Sequence, residues 1–147
     1  MTLEHPKLTL FISDRHNKMK FDCKEISISD EEFGCTVTLS EKEDEGIAQM
    51  NMTIEELMNS SGQYLLLQRT YPEDEFESDY YYIETSNPDK SGELKDFRID
   101  LYRRKFLMTY DNELFEINVN PNDQEFGNLK KALVKIINNK GQLILHD

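Results

Sequence analysis

The chain has 147 residues, of which 37% are hydrophobic and 31% are charged; this balance fits one folded domain and excludes a disordered chain. Two cysteines, Cys23 and Cys35, are too few for a disulfide framework, and no apolar run approaches the roughly 18 residues that cross a bilayer. The net charge is −12, and residues 30–93 alone carry seventeen acidic and three basic side chains. Such a segment repels nucleic acid and anionic membranes and attracts a basic partner.

The first residues also bear on where the protein acts. Met1 to Lys7 lack the basic, apolar and small-residue regions of a secretory signal. We therefore expect a cytoplasmic protein with two reduced thiols, and no direct contact with nucleic acid or membrane.

The first half of the chain has the period-2 pattern of β-strands. Residues 8–12 predict a short strand. Between residues 19 and 29, the apolar side chains change phase, which predicts a bulge near Lys24 and Glu25. A turn at residues 30–34 precedes the alternating Cys35, Val37 and Leu39, which predict a half-buried strand.

The middle of the chain combines loops with two further strands. Residues 41–46 predict a charged loop, and a capping-box spacing predicts a helical turn over residues 53–58. The apolar run 63–69 predicts a central strand covered on both faces. An acidic loop over residues 71–79 then leads into an aromatic strand at residues 80–84.

The last third predicts a three-stranded antiparallel meander over residues 97–119, followed by a helix. After Pro121, apolar residues recur at helical spacing, at Phe126, Leu129, Leu133, Ile136 and Ile137. Asn122 or Asp123 can cap the start of this helix, Gly141 suits a left-handed end, and residues 142–146 predict a final short strand. We expect an α+β, mostly β domain over residues 1–147: a curved antiparallel sheet with one C-terminal amphipathic helix packed on a face.

The sequence contains no pattern that is specific for catalysis. Nucleophile-elbow, phosphate-loop and dinucleotide-binding glycine motifs are absent, and no pattern places one of the three histidines beside a cysteine. Glu41, Glu43 and Glu45 before Gly46 resemble a calcium loop, but the position of its bidentate glutamate is Met52. We therefore expect no enzyme activity, no cofactor and no specific metal site.

The most distinctive segment runs from Glu73 to Glu84, where five carboxylates precede three tyrosines. Neighbouring side chains of a strand point to opposite faces, so either Tyr81 or the pair Tyr80 and Tyr82 is exposed. Exposed tyrosine beside carboxylates is typical of a binding surface, although the same charges also serve solubility alone. The candidate partner-binding residues are Glu73, Asp74, Glu75, Glu77, Asp79, Tyr80 and Tyr82.

A family resemblance covers residues 62–138. The run 63–69, the acidic loop, residues 81–84, the meander and the closing helix together resemble the bacterial immunity protein 10 type. That family is mostly β and occurs beside polymorphic toxins of interbacterial competition. The resemblance implies a cytoplasmic immunity protein that neutralises a cognate toxin by steric and electrostatic blocking, and it supplies no catalytic residue.

Two other classes of function remain open. A small-molecule-binding β domain predicts a ligand-dependent rise in melting temperature without a protein partner. A structural or assembly subunit predicts a stable homo-oligomer. A homo-oligomer is also compatible with the immunity interpretation.

Overall fold

The computed structural model describes residues 17–42 and 62–146. The strand expected at residues 8–12, the helical turn at 53–58 and most of the charged loop 41–46 lie outside the described residues. The described residues form ten β-strands and one α-helix, together with a short 3-10 turn at Pro88–Lys90.

The first sheet has five strands in the order β1, β9, β8, β7, β10. Its strands are β1 (Asn17–Asp22), β7 (Phe97–Tyr102), β8 (Lys105–Tyr110), β9 (Glu113–Asn118) and β10 (Gln142–Leu145). Strands β7, β8 and β9 are antiparallel neighbours, so the predicted meander is confirmed. The edge strands β1 and β10 run parallel to β9 and β7, respectively. Residues far apart in the chain therefore complete this sheet.

The second sheet has five strands in chain order and is antiparallel throughout. Its strands are β2 (Glu25–Glu31), β3 (Gly34–Ser40), β4 (Tyr64–Thr70), β5 (Tyr80–Thr85) and β6 (Gly92–Glu93). Strand β4 is central in order, as predicted, but it is not covered on both faces. Leu65 and Leu67 are buried, whereas Leu66 between them is only half-buried.

The change of apolar phase near Lys24 marks the passage of the chain between the two sheets. The Cys23 N–H donates to the Asn118 carbonyl in the first sheet, and the Lys24 N–H donates to the Ser40 carbonyl in the second. The prediction of a bulge within one continuous strand was therefore wrong. The two strands belong to different sheets, and each directs its own apolar side chains, such as Phe21 and Ile26, toward the core.

The helix α1 (Asp123–Ile137) begins at a complete capping box, in which Asn122 and Glu125 bond to each other's backbone N–H groups. It ends at Asn138, which is left-handed with φ 37°. The prediction that Gly141 provides this left-handed end was wrong. Glycine is needed at position 141 because a Cβ atom there would lie 2.7 Å from the ring and carbonyl oxygen of Phe97.

Both sheets and the helix contribute to one hydrophobic core cluster. Alternate residues of β3, β4 and β5 are buried on the face toward the helix, which packs across β2, β3 and β4. The predicted α+β, mostly β class with one C-terminal helix is confirmed. Its strands are divided between two sheets, whereas a single curved sheet was expected. Within residues 17–42 and 62–146, no helix is long and apolar enough to cross a membrane.

Candidate partner-binding surface

The predicted acidic loop, residues 71–79, connects β4 to β5 at one end of the second sheet. Two of its carboxylates fold the loop on itself. The Phe76 N–H donates to Asp74 Oδ1 at 2.9 Å, and the Glu73 N–H donates to Glu77 Oε2 at 3.2 Å. Such bonds are the usual way in which short acidic side chains stabilise turns. The loop therefore presents its remaining carboxylate oxygens on a defined backbone.

The turn between β2 and β3 lies beside this loop. The Tyr71 N–H donates to the Phe33 carbonyl at 2.9 Å, and the Tyr71 hydroxyl donates to Asp30 Oδ1 at 2.9 Å. The turn therefore adds the exposed Glu31 and Glu32 to the charges of the loop. We call these two segments, residues 30–33 and 71–79, the acidic end.

The acidic end contains eight carboxylates, and two cations contact it. Arg69 pairs with Asp79, and Lys135 of the helix pairs with Asp30. The bond from Lys135 lowers the pKa of Asp30 and raises that of Lys135. Within the part of the chain that the structure describes, the other six carboxylates form no ion pair: Glu31, Glu32, Glu73, Asp74, Glu75 and Glu77. This end therefore carries a concentrated negative charge.

Arg69 anchors the base of the acidic loop. Its Nε donates to Asp79, its Nη1 donates to the Lys135 carbonyl at 2.8 Å, and its guanidinium lies 5.1 Å from the Tyr71 ring centre. Asp79 is only half-buried, but its charge is already paired. Among the seven candidate residues, Asp79 thus holds the loop in place, and its carboxylate is less accessible to a partner than those of Glu73 and Glu75.

The tyrosine strand β5 has Tyr81 on its buried face and Tyr80 and Tyr82 on the opposite one. Tyr81 is 8% exposed, and its hydroxyl accepts a hydrogen bond from Asn138 Nδ2 at 3.2 Å. Tyr80 is 47% exposed and Tyr82 is half-buried, with their ring centres 6.5 Å apart. Of the two orientations left open by the sequence, the strand adopts the one that places Tyr80 and Tyr82 on the outer face, where Tyr80 is exposed and Tyr82 is half-buried.

A second pair of phenols is fixed on the outer face of the sheet. The hydroxyls of Tyr64 and Tyr82 donate to the two oxygens of Glu84, at 2.6 and 3.0 Å. Burial and the bond to Glu84 raise the pKa of Tyr64 to about 12, and the bond to Glu84 also raises that of Tyr82. Glu84 therefore holds both rings in place on this face.

Two exposed phenylalanines belong to the acidic end and were missed by sequence reasoning. Phe76, inside the acidic loop, is 89% exposed, and Phe33, in the β2–β3 turn, is 64% exposed. Each lies in a segment that the sequence predicts to be a turn or a loop, beside several carboxylates. That position was the available signal, because an apolar side chain in a polar turn often stays exposed to solvent.

The acidic end thus brings together Glu73, Asp74, Glu75 and Glu77 with Tyr80, which begins β5. Tyr82 lies two residues further along the outer face, beside Gln68 and Glu93 of the neighbouring strands. Within the described residues, no group of three or more histidine, cysteine or carboxylate side chains is arranged to hold a metal ion. The arrangement offers charge and aromatic area for contact with another macromolecule.

The chain matches no family model and no curated protein. The functional argument therefore depends on the charge and geometry of the surface described above.

Proposed function

We propose that this protein acts by binding a basic protein partner through the acidic end and the outward-facing Tyr80 and Tyr82 beside it. The observation that carries the proposal is the proximity of six carboxylates, which form no ion pair with another described residue, to Phe33, Phe76 and Tyr80 at one end of one sheet. Carboxylates alone would be explained by their effect on solubility. Exposed aromatic rings among them indicate a binding surface, because such rings bury large apolar areas in an interface.

The two kinds of side chain have different tasks in this proposal. The carboxylates attract a basic surface over distances of about 10 Å at moderate salt and so accelerate association. Phe76 then becomes buried, which contributes about 1.5–3 kcal/mol to the stability of the complex. Tyr80 and Tyr82 each have an apolar ring with a polar hydroxyl. The hydroxyl can be hydrated in the free protein, and the ring can pack against the partner in the complex.

We further propose that the partner is an antibacterial toxin and that this chain is its cytoplasmic immunity protein. The resemblance of residues 62–138 to the immunity protein 10 type supports this assignment, as does the sign of the charge. A toxin that acts on nucleic acid needs a basic cleft to bind phosphates. An acidic, aromatic surface that occupies this cleft would block the substrate by steric exclusion and by electrostatic competition, without turnover.

The toxin assignment is tested by growth rescue. The test partner is the C-terminal domain of a large secreted protein encoded next to this chain, expressed in a host that it kills. We expect co-expression of this chain to restore growth and the purified proteins to form a complex. Continued killing with both proteins soluble, or the absence of a neighbouring gene of this kind, would contradict the assignment.

The binding surface is tested by neutralising three carboxylates. We expect the triple variant Glu73→Gln, Glu75→Gln and Glu77→Gln to associate about tenfold more slowly at low salt, with a weaker dependence on salt concentration. At position 77, the side-chain oxygen of glutamine can still accept the hydrogen bond from the Glu73 N–H. Stopped-flow or surface-plasmon measurements over a salt series give the association rates.

The matched control changes the net charge equally at other exposed positions: Thr109→Lys, Gln124→Lys and Gln142→Lys. These residues lie on the first sheet and on the first turn of α1. We expect the control to associate much faster than the glutamine variant. Equal rates for the two variants would show that only net charge matters, and would remove the acidic end as the contact surface.

A further inference from the structure

We propose that Glu84, Tyr64 and Tyr82, on the outer face of the second sheet, form a binding site for one arginine side chain of the basic partner. We call these three residues the Glu84 site. Its ligand is a guanidinium group, held by the carboxylate and by the two aromatic rings. The assignment to that partner rests on the proposed function, whereas the chemistry of the site depends only on β4 and β5.

The pairing of β4 with β5 brings the three side chains together. Glu84 and Tyr82 are two residues apart in β5, so both point to the outer face. Leu66 of β4 lies opposite Glu84, and Tyr64 stands two residues before Leu66 on the same face. The two phenols therefore approach one carboxylate from different strands. The Tyr64 hydroxyl donates to one oxygen of Glu84 at 2.6 Å, and the Tyr82 hydroxyl donates to the other at 3.0 Å.

Glu84 differs from comparable carboxylates in having no cation beside it. Within residues 17–42 and 62–146, its hydrogen bonds come from the two phenols, and it forms no ion pair. Asp100 and Glu116, half-buried on the outer face of the first sheet, each contact two or more lysine, arginine or histidine side chains. Residues 43–61, which precede β4, contain neither lysine nor arginine. A partly desolvated carboxylate is stabilised by a cation, so the Glu84 site favours a positively charged ligand.

The hydrogen-bonding capacity of Glu84 matches a guanidinium group. Each carboxylate oxygen has two lone pairs, and one phenol occupies one position on each oxygen. One acceptor position therefore remains on either oxygen, which fits the two parallel N–H groups of an arginine side chain. The rings of Tyr64 and Tyr82 lie beside these positions because their hydroxyls bond to the same carboxylate. Arginine stacks on aromatic rings through its planar, weakly hydrated group, whereas lysine carries a strongly hydrated point charge.

Arg69 shows the same combination of contacts inside this protein. It donates to the Asp79 carboxylate while its guanidinium lies 5.1 Å from the Tyr71 ring centre. Arg69 is also the only basic residue in the five described strands of the second sheet, and its side chain bonds to the helix backbone. The outer face of these strands therefore presents no basic side chain that would compete with an arginine of the partner.

The probe for this inference is N-acetyl-arginine methylamide, titrated into the full-length protein and followed by NMR of the tyrosine rings and backbone amides. We expect saturable shifts at the rings of Tyr64 and Tyr82, with a dissociation constant on the order of 10 mM for a single partly exposed site. The control ligand, N-acetyl-citrulline methylamide, has nearly the same shape without the charge. It should bind at least about fivefold more weakly. Equal binding of the two ligands would overturn the proposal.

Two variants with equal loss of charge separate the site from general attraction. We expect Glu84→Gln to weaken arginine binding at the two rings at least about fivefold. Glutamine keeps a side-chain oxygen that can accept a bond from a phenol. The matched control is Glu75→Gln, at an exposed position of the acidic loop, and we expect it to leave binding at these rings unchanged. Equal losses in both variants would show that only net charge matters and would overturn the proposal.

A further variant tests the aromatic part of the site. Tyr82→Leu keeps the Glu84 carboxylate and removes one ring, and we expect it to weaken arginine binding at least about threefold. Amide spectra outside β4 and β5 check that the fold is retained. Undiminished binding by Tyr82→Leu, or the absence of saturable shifts at the Tyr64 and Tyr82 rings of the unmodified protein, would overturn the proposal.

The remaining outcomes concern the source of the arginine. Tighter binding of the probe, by at least about threefold, to the variant with Lys7→Ala and Arg15→Ala would identify a cation of this chain as the occupant and would overturn the assignment to a partner. The titration uses no toxin. Its failure together with successful growth rescue would remove the Glu84 site and leave the proposed function in place. Saturable arginine binding together with failed rescue would retain the site and contradict the toxin assignment alone.

Discussion

Arg69 shows how one side chain can determine the position of a functional loop. It comes from the central strand of the second sheet, yet it contacts Asp79 at the end of the loop and the backbone of Lys135 near the end of the helix. Charge-assisted bonds of this kind are about twice as strong as neutral ones when they are shielded from water. Arg69 is 18% exposed and Asp79 is 24% exposed, so this pair is partly shielded.

We expect Arg69→Ala to lower the free energy of unfolding by about 1–3 kcal/mol, because the Asp79 carboxylate and the Lys135 carbonyl both lose a donor. The control is Arg98→Ala, whose pair with Asp100 involves an arginine side chain that is 49% exposed. An exposed pair contributes at most about 1 kcal/mol. Urea unfolding measures both values. A loss from Arg98→Ala as large as that from Arg69→Ala would contradict the anchoring role.

Individual elements were predictable where the pattern is local. The alternation in β3, the aromatic strand β5, the meander and the stripe of α1 all follow from neighbouring residues, and each was confirmed. The division into two sheets was not predictable in this way. It depends on β1 pairing with β9 and β10 with β7, across long stretches of chain, and on the crossing at Cys23 and Lys24.

The same limit applies to the candidate surface. Composition drew attention to the acidic loop and to the tyrosine strand β5, but it left open which of the three tyrosines face outward. The β2–β3 turn adds Glu31, Glu32 and Phe33 to the acidic end because the Tyr71 N–H bonds to the carbonyl of this turn. No spacing in the sequence predicts that bond. The pairing of Asp79 with Arg69 likewise requires knowledge of how the loop folds back.

Two glycines in and after the helix differ in the space around them, so replacing each by alanine should change stability in opposite directions. A Cβ atom on Gly127, inside α1, would meet nothing within 4 Å, whereas one on Gly141 would collide with Phe97. We expect Gly127→Ala to stabilise the protein by about 0.5–1 kcal/mol through helix propensity. Gly141→Ala should destabilise it by about 1–3 kcal/mol through overpacking. Thermal unfolding measures both, and shifts of the same sign would contradict this assignment.

At the scale of the molecule, the acidic end is part of the second sheet but depends on the helix and the shared core. Asp30, Arg69 and Tyr81 each contact the last turn of α1 or the residues just after it. The helix in turn packs its buried face into the cluster that both sheets fill. A partner that binds the acidic end would therefore contact a surface whose geometry is fixed by the whole fold.

This dependence predicts one cooperative unfolding transition for both sheets. Leu67 of the second sheet and Phe115 of the first are each at most 1% exposed in the same cluster. We expect Leu67→Val and Phe115→Leu each to lower stability by about 1–2 kcal/mol and to shift a single common midpoint. The chain has seven tyrosines and no tryptophan, so tyrosine fluorescence and far-ultraviolet circular dichroism can follow it. Separate midpoints, each moved by only one substitution, would show two independently folding units and would detach the acidic end from the first sheet.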